Sequence, residues 1–245
     1  MDWILLAFAL IVCLSYGVQT ITGFGSMLLC LTLGAQLMPI DRVLNLAVPI
    51  SLLQTGYIVA RYHRQIDWRL LLSRIVPAMA VGMLIGFWIA ARAPDASLKR
   101  VLGALVLILA VKELWQRLRH AQTSSRPLPG PVVLGVMTAA GVVHGIFATG
   151  GPLLVYATSR LNLNKHAFRA TLTAVWLTLN SVLLVRFVSA GRIDGEVLGS
   201  LLWLVPAVPT GIFLGEKLHA KIDERRFQLA VYGLLVVAAL VLLVR

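Results

Sequence analysis

The chain has 245 residues, of which 59% are hydrophobic and 13% are charged, and its mean hydropathy is +0.87. A soluble domain would be about half apolar and a quarter charged, so this composition excludes a soluble protein. The formal net charge of +12 does not indicate nucleic acid, because Lys and Arg lie in short connections where topology and lipid headgroups account for them. We expect an all-α polytopic membrane protein.

Long apolar runs recur along the chain, and about 20 residues suffice for a helix to cross a bilayer. The first run follows Asp2 and no Lys or Arg, so we expect it to be a membrane segment and no cleaved signal peptide. Six of the eight runs have the length of ordinary spans, whereas the first and the fifth are too long. In chain order, the eight runs cover residues 3–35, 43–60, 70–91, 98–115, 131–158, 170–188, 197–215 and 227–244.

The two long runs are both interrupted near their middles. The first contains QTITGFGSML from Gln19 to Leu28, and the fifth contains HGIFATGGP from His144 to Pro152. Glycine and β-branched residues weaken a helix, and in lipid every backbone group that they free must find a partner within the protein. We predict a helix break in each run, with Pro152 opening a new half-helix, where its missing N–H costs nothing.

A half-helix that begins inside the membrane presents free N–H groups and the positive end of its dipole, which suits an anion. The breaks add hydroxyl donors and glycines that permit close backbone approach. The alternative is close helix packing through small residues, which is common in membranes. The predicted anion cradle consists of Thr20, Thr22, Gly23, Gly25, Ser26, Thr149, Gly150 and Gly151.

Two arginines begin the helices that follow the breaks, and each could supply positive charge to an anion. They are Arg42 and Arg169. The alternative for both is snorkelling to lipid headgroups. On a helix, a single face is shared by Arg169, Thr173, Trp176 and Asn180.

Three further polar residues are candidates for the lining of the site. His144 precedes the second break and could act as an anion donor or a proton relay, or it could be hydrogen-bonded between helices. Asn45 and Asn180 complete the lining. Asp67 and Asp194 lie in loops, where we expect them to cap the following helices. With no acidic residue deep in any span, carboxylate-based proton or sodium coupling has no evident carrier, and we predict neither metal nor cofactor.

The chain carries an internal repeat on either side of one polar, proline-rich linker, Arg117–Pro131. We therefore predict a first repeat over 1–117, a cytoplasmic linker over 118–130 and a second repeat over 131–245. Chance similarity is the alternative, but several matches occur in order. They pair Thr22-Gly23 with Thr149-Gly150, Arg42 with Arg169, Ile66-Asp67 with Ile193-Asp194, Pro77-Ala78 with Pro206-Ala207, Gly82 with Gly211 and Gly86 with Gly215.

The distribution of basic residues favours inverted repeats over parallel ones. If each long run crosses once, the 22 Lys and Arg divide evenly between the two sides, against the positive-inside rule. If each long run enters and returns as a helical hairpin, most of them collect on the side of the linker. We predict two inverted repeats, each made of a broken helix or helical hairpin plus three transmembrane helices, with the site near the midplane.

The duplicated organisation, the breaks GFGS at Gly23–Ser26 and TGGP at Thr149–Pro152, and the following helices with their arginines resemble the sulfite exporter TauE/SafE family. The resemblance implies a transporter of small sulfur-containing anions, such as sulfite, sulfoacetate or related organosulfonates, in the bacterial inner membrane. Its partners would be this anion and the lipid bilayer, and a homo-oligomer is left open. The alternatives are an anion channel and an intramembrane enzyme, for which no catalytic motif is present.

Overall fold

The protein is described by a computed structural model that covers residues 3–22, 25–118, 129–158, 164–219 and 224–244. Within these ranges every regular element is helical, as the composition predicts. The α-helices are α1 (Trp3–Thr22), α2 (Ser26–Gly34), α3 (Ile40–Tyr62), α4 (Trp68–Leu70), α5 (Val76–Ala90), α6 (Asp95–Leu118), α7 (Gly130–Phe147), α8 (Gly151–Thr158), α9 (Lys165–Ser189), α10 (Gly195–Leu204), α11 (Ala207–His219) and α12 (Glu224–Val244).

Among the described residues, six helical stretches are long and apolar enough to cross a membrane. Their surfaces carry large exposed apolar side chains, such as Leu10, Leu84 and Leu202, which a bilayer would cover. A shorter apolar stretch lies at Leu229–Val244. The six stretches are Trp3–Thr20, Ile40–Gln65, Trp68–Ala90, Gly130–Phe147, His166–Ser189 and Gly195–Leu218.

Both long apolar runs are broken where the sequence predicts. α1 ends at Thr22 and α2 begins at Ser26, while α7 ends at Phe147 and α8 begins at Gly151. In the first run the short helix turns back along the long one, since a Cβ atom at Gly34 would lie 2.8 Å from the ring of Phe8. The first run is therefore a hairpin of a 20-residue helix and a 9-residue helix.

Two of the runs predicted to be ordinary spans, 70–91 and 197–215, are confirmed as long enough and apolar enough to cross a membrane, but each contains a local irregularity. A π-helical turn occupies Leu71–Ile75 just before Pro77, and the interruption between α10 and α11 falls at Pro206. Proline lacks an N–H and its ring clashes with the carbonyl four residues earlier. A local change of hydrogen-bond pattern relieves both problems.

The chain forms two compact units. The first contains the described residues of Met1–Ala47, Ala93–Thr123 and Asp194–Arg245. Within it, α1 packs on α11, and α6 packs on α12. The α1–α11 contact is close because Gly211 faces α1, where a Cβ atom would lie within 3.0 Å of the Cys13 carbonyl oxygen. Small residues of this kind let membrane helices approach backbone to backbone.

The second unit contains the described residues of Val48–Arg92 and Ser124–Ile193, and its closest helix pair is α5 with α7. Gly82 makes the corresponding close contact here, because a Cβ atom added at this position would clash with the Thr138 carbonyl oxygen of α7. Gly82 and Gly211 are a matched pair in the predicted repeat. Each unit thus combines helices from both halves of the sequence, and in each a matched glycine makes the close contact.

Candidate functional site

The first break lies in the first unit, where Gly25 precedes α2 with a φ of 101° and thus in the left-handed region. Among the described residues, nothing lies within 4 Å of a Cβ atom placed there. Glycine is therefore needed at this position for its left-handed backbone conformation and not to let a neighbouring group come close. Ser26 is buried at the first position of α2, next to N–H groups that have no intrahelical acceptor. The hydroxyl of Thr20 donates to the Tyr16 carbonyl at 2.8 Å.

The first half contains four other candidates, Thr22, Gly23, Arg42 and Asn45. The side chain of Thr22 and the whole of Gly23 lie outside the described residues. Asn45 is half-buried on α3. Arg42 is exposed and forms an ion pair with Glu196, so its charge already has a partner within the same unit.

The second break lies in the second unit and has a defined backbone path. Ala148 ends α7 in the left-handed region, with a φ of 52°, and its N–H donates to the His144 carbonyl at 2.7 Å. Gly150 then passes so close to α7 that a Cβ atom would lie within 3.0 Å of the Ala140 carbonyl oxygen. α8 starts at Gly151, and its second residue is Pro152, which has no N–H to leave unsatisfied.

His144 lies one turn before this break and is completely buried. Its ring stacks on Trp176 of α9, with 5.5 Å between ring centroids and 23° between planes. Neither imidazole nitrogen has a hydrogen-bond partner among the described residues. A buried polar atom without a partner costs about 1–3 kcal/mol, which a bound ligand or water would recover.

Asn180 lies one turn after Trp176 on α9 and is 3% exposed. Its Nδ2 atom donates to the Ser51 hydroxyl at 2.9 Å, while its Oδ1 atom has no partner. The Asn180 side chain also lies close to the His144 imidazole. The break, His144, Trp176 and Asn180 therefore form one polar cluster inside an apolar unit.

The remaining candidates of the second half differ in their burial. Thr149 is buried within the break, and Gly151 lies against Trp176, 3.8 Å from its ring as measured from a Cβ position. Thr173 uses its hydroxyl to donate to the Arg169 carbonyl. Arg169 itself is exposed near the start of α9.

Trp176, a member of the cluster, and Ser51, which bonds to Asn180, are not among the predicted site residues. The sequence places Trp176 on the same helical face as Asn180, but it gives no sign that the ring packs on His144. Ser51 lies far from Asn180 in sequence, and no local pattern marks their hydrogen bond.

The two predicted helix caps are confirmed, since Asp67 accepts from the Leu70 N–H and Asp194 from the Val197 N–H.

Comparison with known proteins gives two curated relatives and one family. The family model described as Sulfite exporter TauE/SafE matches residues 7–242. The Probable inner membrane transporter protein TsaS of Comamonas testosteroni is 30% identical over 199 residues, which are 81% of this chain and 80% of the relative. The Probable sulfite/organosulfonate exporter TauE of Cupriavidus necator is 25% identical over 224 residues, which are 89% and 85% of the two chains. No solved structure matches.

Proposed function

The chain is a multi-pass inner-membrane protein of the sulfite exporter TauE/SafE family, and we propose that it is a secondary transporter of a small sulfur-containing anion. Sulfite and organosulfonates are named for the relative from Cupriavidus necator. In this proposal they, or an anion of the same chemistry, are the cargo here, and the chain moves them by alternating access.

The observation that carries this proposal is the buried imidazole of His144 beside a helix break within the membrane. Both imidazole nitrogens lack partners in the part of the chain that the structure describes, and the α8 N-terminus, with its free N–H groups and positive dipole end, is nearby, since Gly151 and His144 both lie against Trp176. Hydrogen bonds to a charged acceptor are worth about 1.5–3 kcal/mol each, so a few of them suffice to hold a small oxyanion. Thr149 adds a buried hydroxyl.

In the first unit, the first break would supply its own set of donors from Thr22, Gly23, Gly25 and Ser26. Thr20, which the sequence also suggests, already donates its hydroxyl hydrogen to the Tyr16 carbonyl. Discontinuous helices at corresponding positions of two inverted repeats are typical of secondary transporters. The two matched glycines make equivalent contacts, since Gly211 of α11 packs against α1 and Gly82 of α5 packs against α7. These contacts favour a duplicated architecture. In the proposed mechanism the anion also interacts, on its path, with the side chains of Arg42, Asn45 and Arg169.

Flux measurements in proteoliposomes test the proposal against an anion channel. With labelled sulfite on one side of the membrane, a transporter should show a saturable rate and accelerated exchange when unlabelled anion is present on the opposite side. A channel would give flux that rises linearly with concentration and no exchange. Linear flux without exchange, or no flux of any sulfur oxyanion, would overturn the proposed function.

A further inference from the structure

The amide of Asn180 has a fixed orientation. The Ser51 hydroxyl donates its only hydrogen to the Val48 carbonyl at 2.7 Å, so its oxygen can only accept from Asn180. The amide nitrogen must therefore point to Ser51, and the amide oxygen points away from it. This Oδ1 atom is a buried acceptor that no group in the described ranges satisfies.

His144 is best described as a neutral imidazole when no ligand is bound. In this unit α5, α7, α8, α9 and the part of α3 from residue 48 to residue 62 contain no Asp or Glu. Besides His144, their ionisable groups are tyrosines and basic residues: Tyr57, Arg61, Tyr62, Tyr156, Lys165, His166, Arg169 and Arg186. A buried charge without an opposite charge nearby costs far more than a neutral ring.

A neutral imidazole offers one donor and one acceptor. Together with the Oδ1 atom of Asn180, the cluster then contains two side-chain acceptors and one donor, none of which has a partner. If the imidazole N–H turned to Asn180, the other ring nitrogen would still be an unsatisfied acceptor. Whichever way His144 and Asn180 pair with each other, at least one of their acceptors is left without a donor.

We infer that the anion bound at this cluster carries a hydrogen-bond donor of its own, a hydroxyl or ammonium group or an acid proton, in addition to its oxyanion. The inference rests on the proposed function, since it assigns a ligand class to the same site. The oxyanion accepts from the α8 N–H groups, the Thr149 hydroxyl and the imidazole. Two acceptors then remain, the other ring nitrogen and the Oδ1 atom of Asn180, and the donor of the ligand satisfies the Oδ1 atom of Asn180.

Two sulfonates of the same charge and nearly the same shape test this inference. 2-Hydroxyethanesulfonate and 1-propanesulfonate differ in a hydroxyl that replaces a methyl group. An acceptor left unsatisfied costs about 1–3 kcal/mol, so the purified protein should bind the hydroxylated compound about 5- to 150-fold more tightly by titration calorimetry. Asn180→Leu, which removes the amide oxygen at similar volume, should reduce this preference severalfold.

The control variant is Thr178→Val, because Thr178 lies on the same helix and its hydroxyl bonds only to the Ala174 carbonyl. It should keep the full preference. Equal affinities in the wild-type protein would overturn the inference, since a water molecule would then supply the donor, but they would leave the proposed function intact. Binding of neither sulfonate nor sulfite would instead count against the proposed function. If Asn180→Leu does not fold, the wild-type comparison alone decides.

Discussion

The close packing of α5 on α7 can be tested with two alanine substitutions in one helix. A Cβ atom at Gly141 would lie 2.7 Å from the Met79 Cα and 2.8 Å from its carbonyl carbon, and backbone atoms cannot yield as a flexible side chain can. Gly135 is on the same helix and has nothing within 4 Å of its Cβ position. Gly135→Ala is therefore a matched control for Gly141→Ala.

Both substitutions gain helix propensity, which is worth about 1 kcal/mol for alanine over glycine. Gly135→Ala should therefore raise the free energy of unfolding by up to about that amount. Gly141→Ala must separate the two helices, and overpacking costs about 1–3 kcal/mol or more, so its net effect should be destabilising. Thermal or denaturant unfolding of the detergent-solubilised protein measures both. Equal stability of the two variants would refute the described contact.

Three further predictions concern the ends of helices. Ala148 adopts a left-handed conformation that costs a non-glycine residue about 1–2 kcal/mol, so Ala148→Gly should keep or raise thermal stability while Ala148→Val lowers it; the reverse order would contradict the described turn. Because the Arg42–Glu196 pair is exposed, a double-mutant cycle in unfolding should give a coupling of roughly 0.2–1 kcal/mol, and a coupling several times larger would be incompatible with that exposure. Arg169→Ala should slow sulfite flux about tenfold or more in a folded protein if the guanidinium meets the anion, and unchanged flux would assign Arg169 to the headgroups.

The helical fold and both breaks could be predicted from sequence because their causes are local. Apolar runs of sufficient length predict spans, and a Thr-Gly or Gly-Gly step predicts where a helix stops. The irregular turns near Pro77 and Pro206 were accessible in principle, since each run contains a proline, but the sequence does not show how the chain accommodates it. One such run gains a π-helical turn and the other an interruption.

The candidate site could be predicted only in part, because its decisive contacts join distant residues. Its donors at Thr149 and Gly151 follow from the motif, and His144 attracts notice as a histidine within a membrane segment. The stacking of His144 on Trp176 and the hydrogen bond of Asn180 with Ser51 arise from packing between helices. No periodicity along one helix records which residue of another helix it will meet.

The anion affinity of a His144→Phe variant tests most directly whether the second break binds the cargo. Phenylalanine can still stack on Trp176, but it removes both ring nitrogens. We expect sulfite binding and flux to fall about 10- to 150-fold, corresponding to one hydrogen bond of about 1.5–3 kcal/mol to a charged acceptor. Thermal stability should be retained, and the control His166→Phe, at an exposed position of α9, should bind and transport as the wild type does. Wild-type affinity and flux in a folded His144→Phe protein would contradict this account.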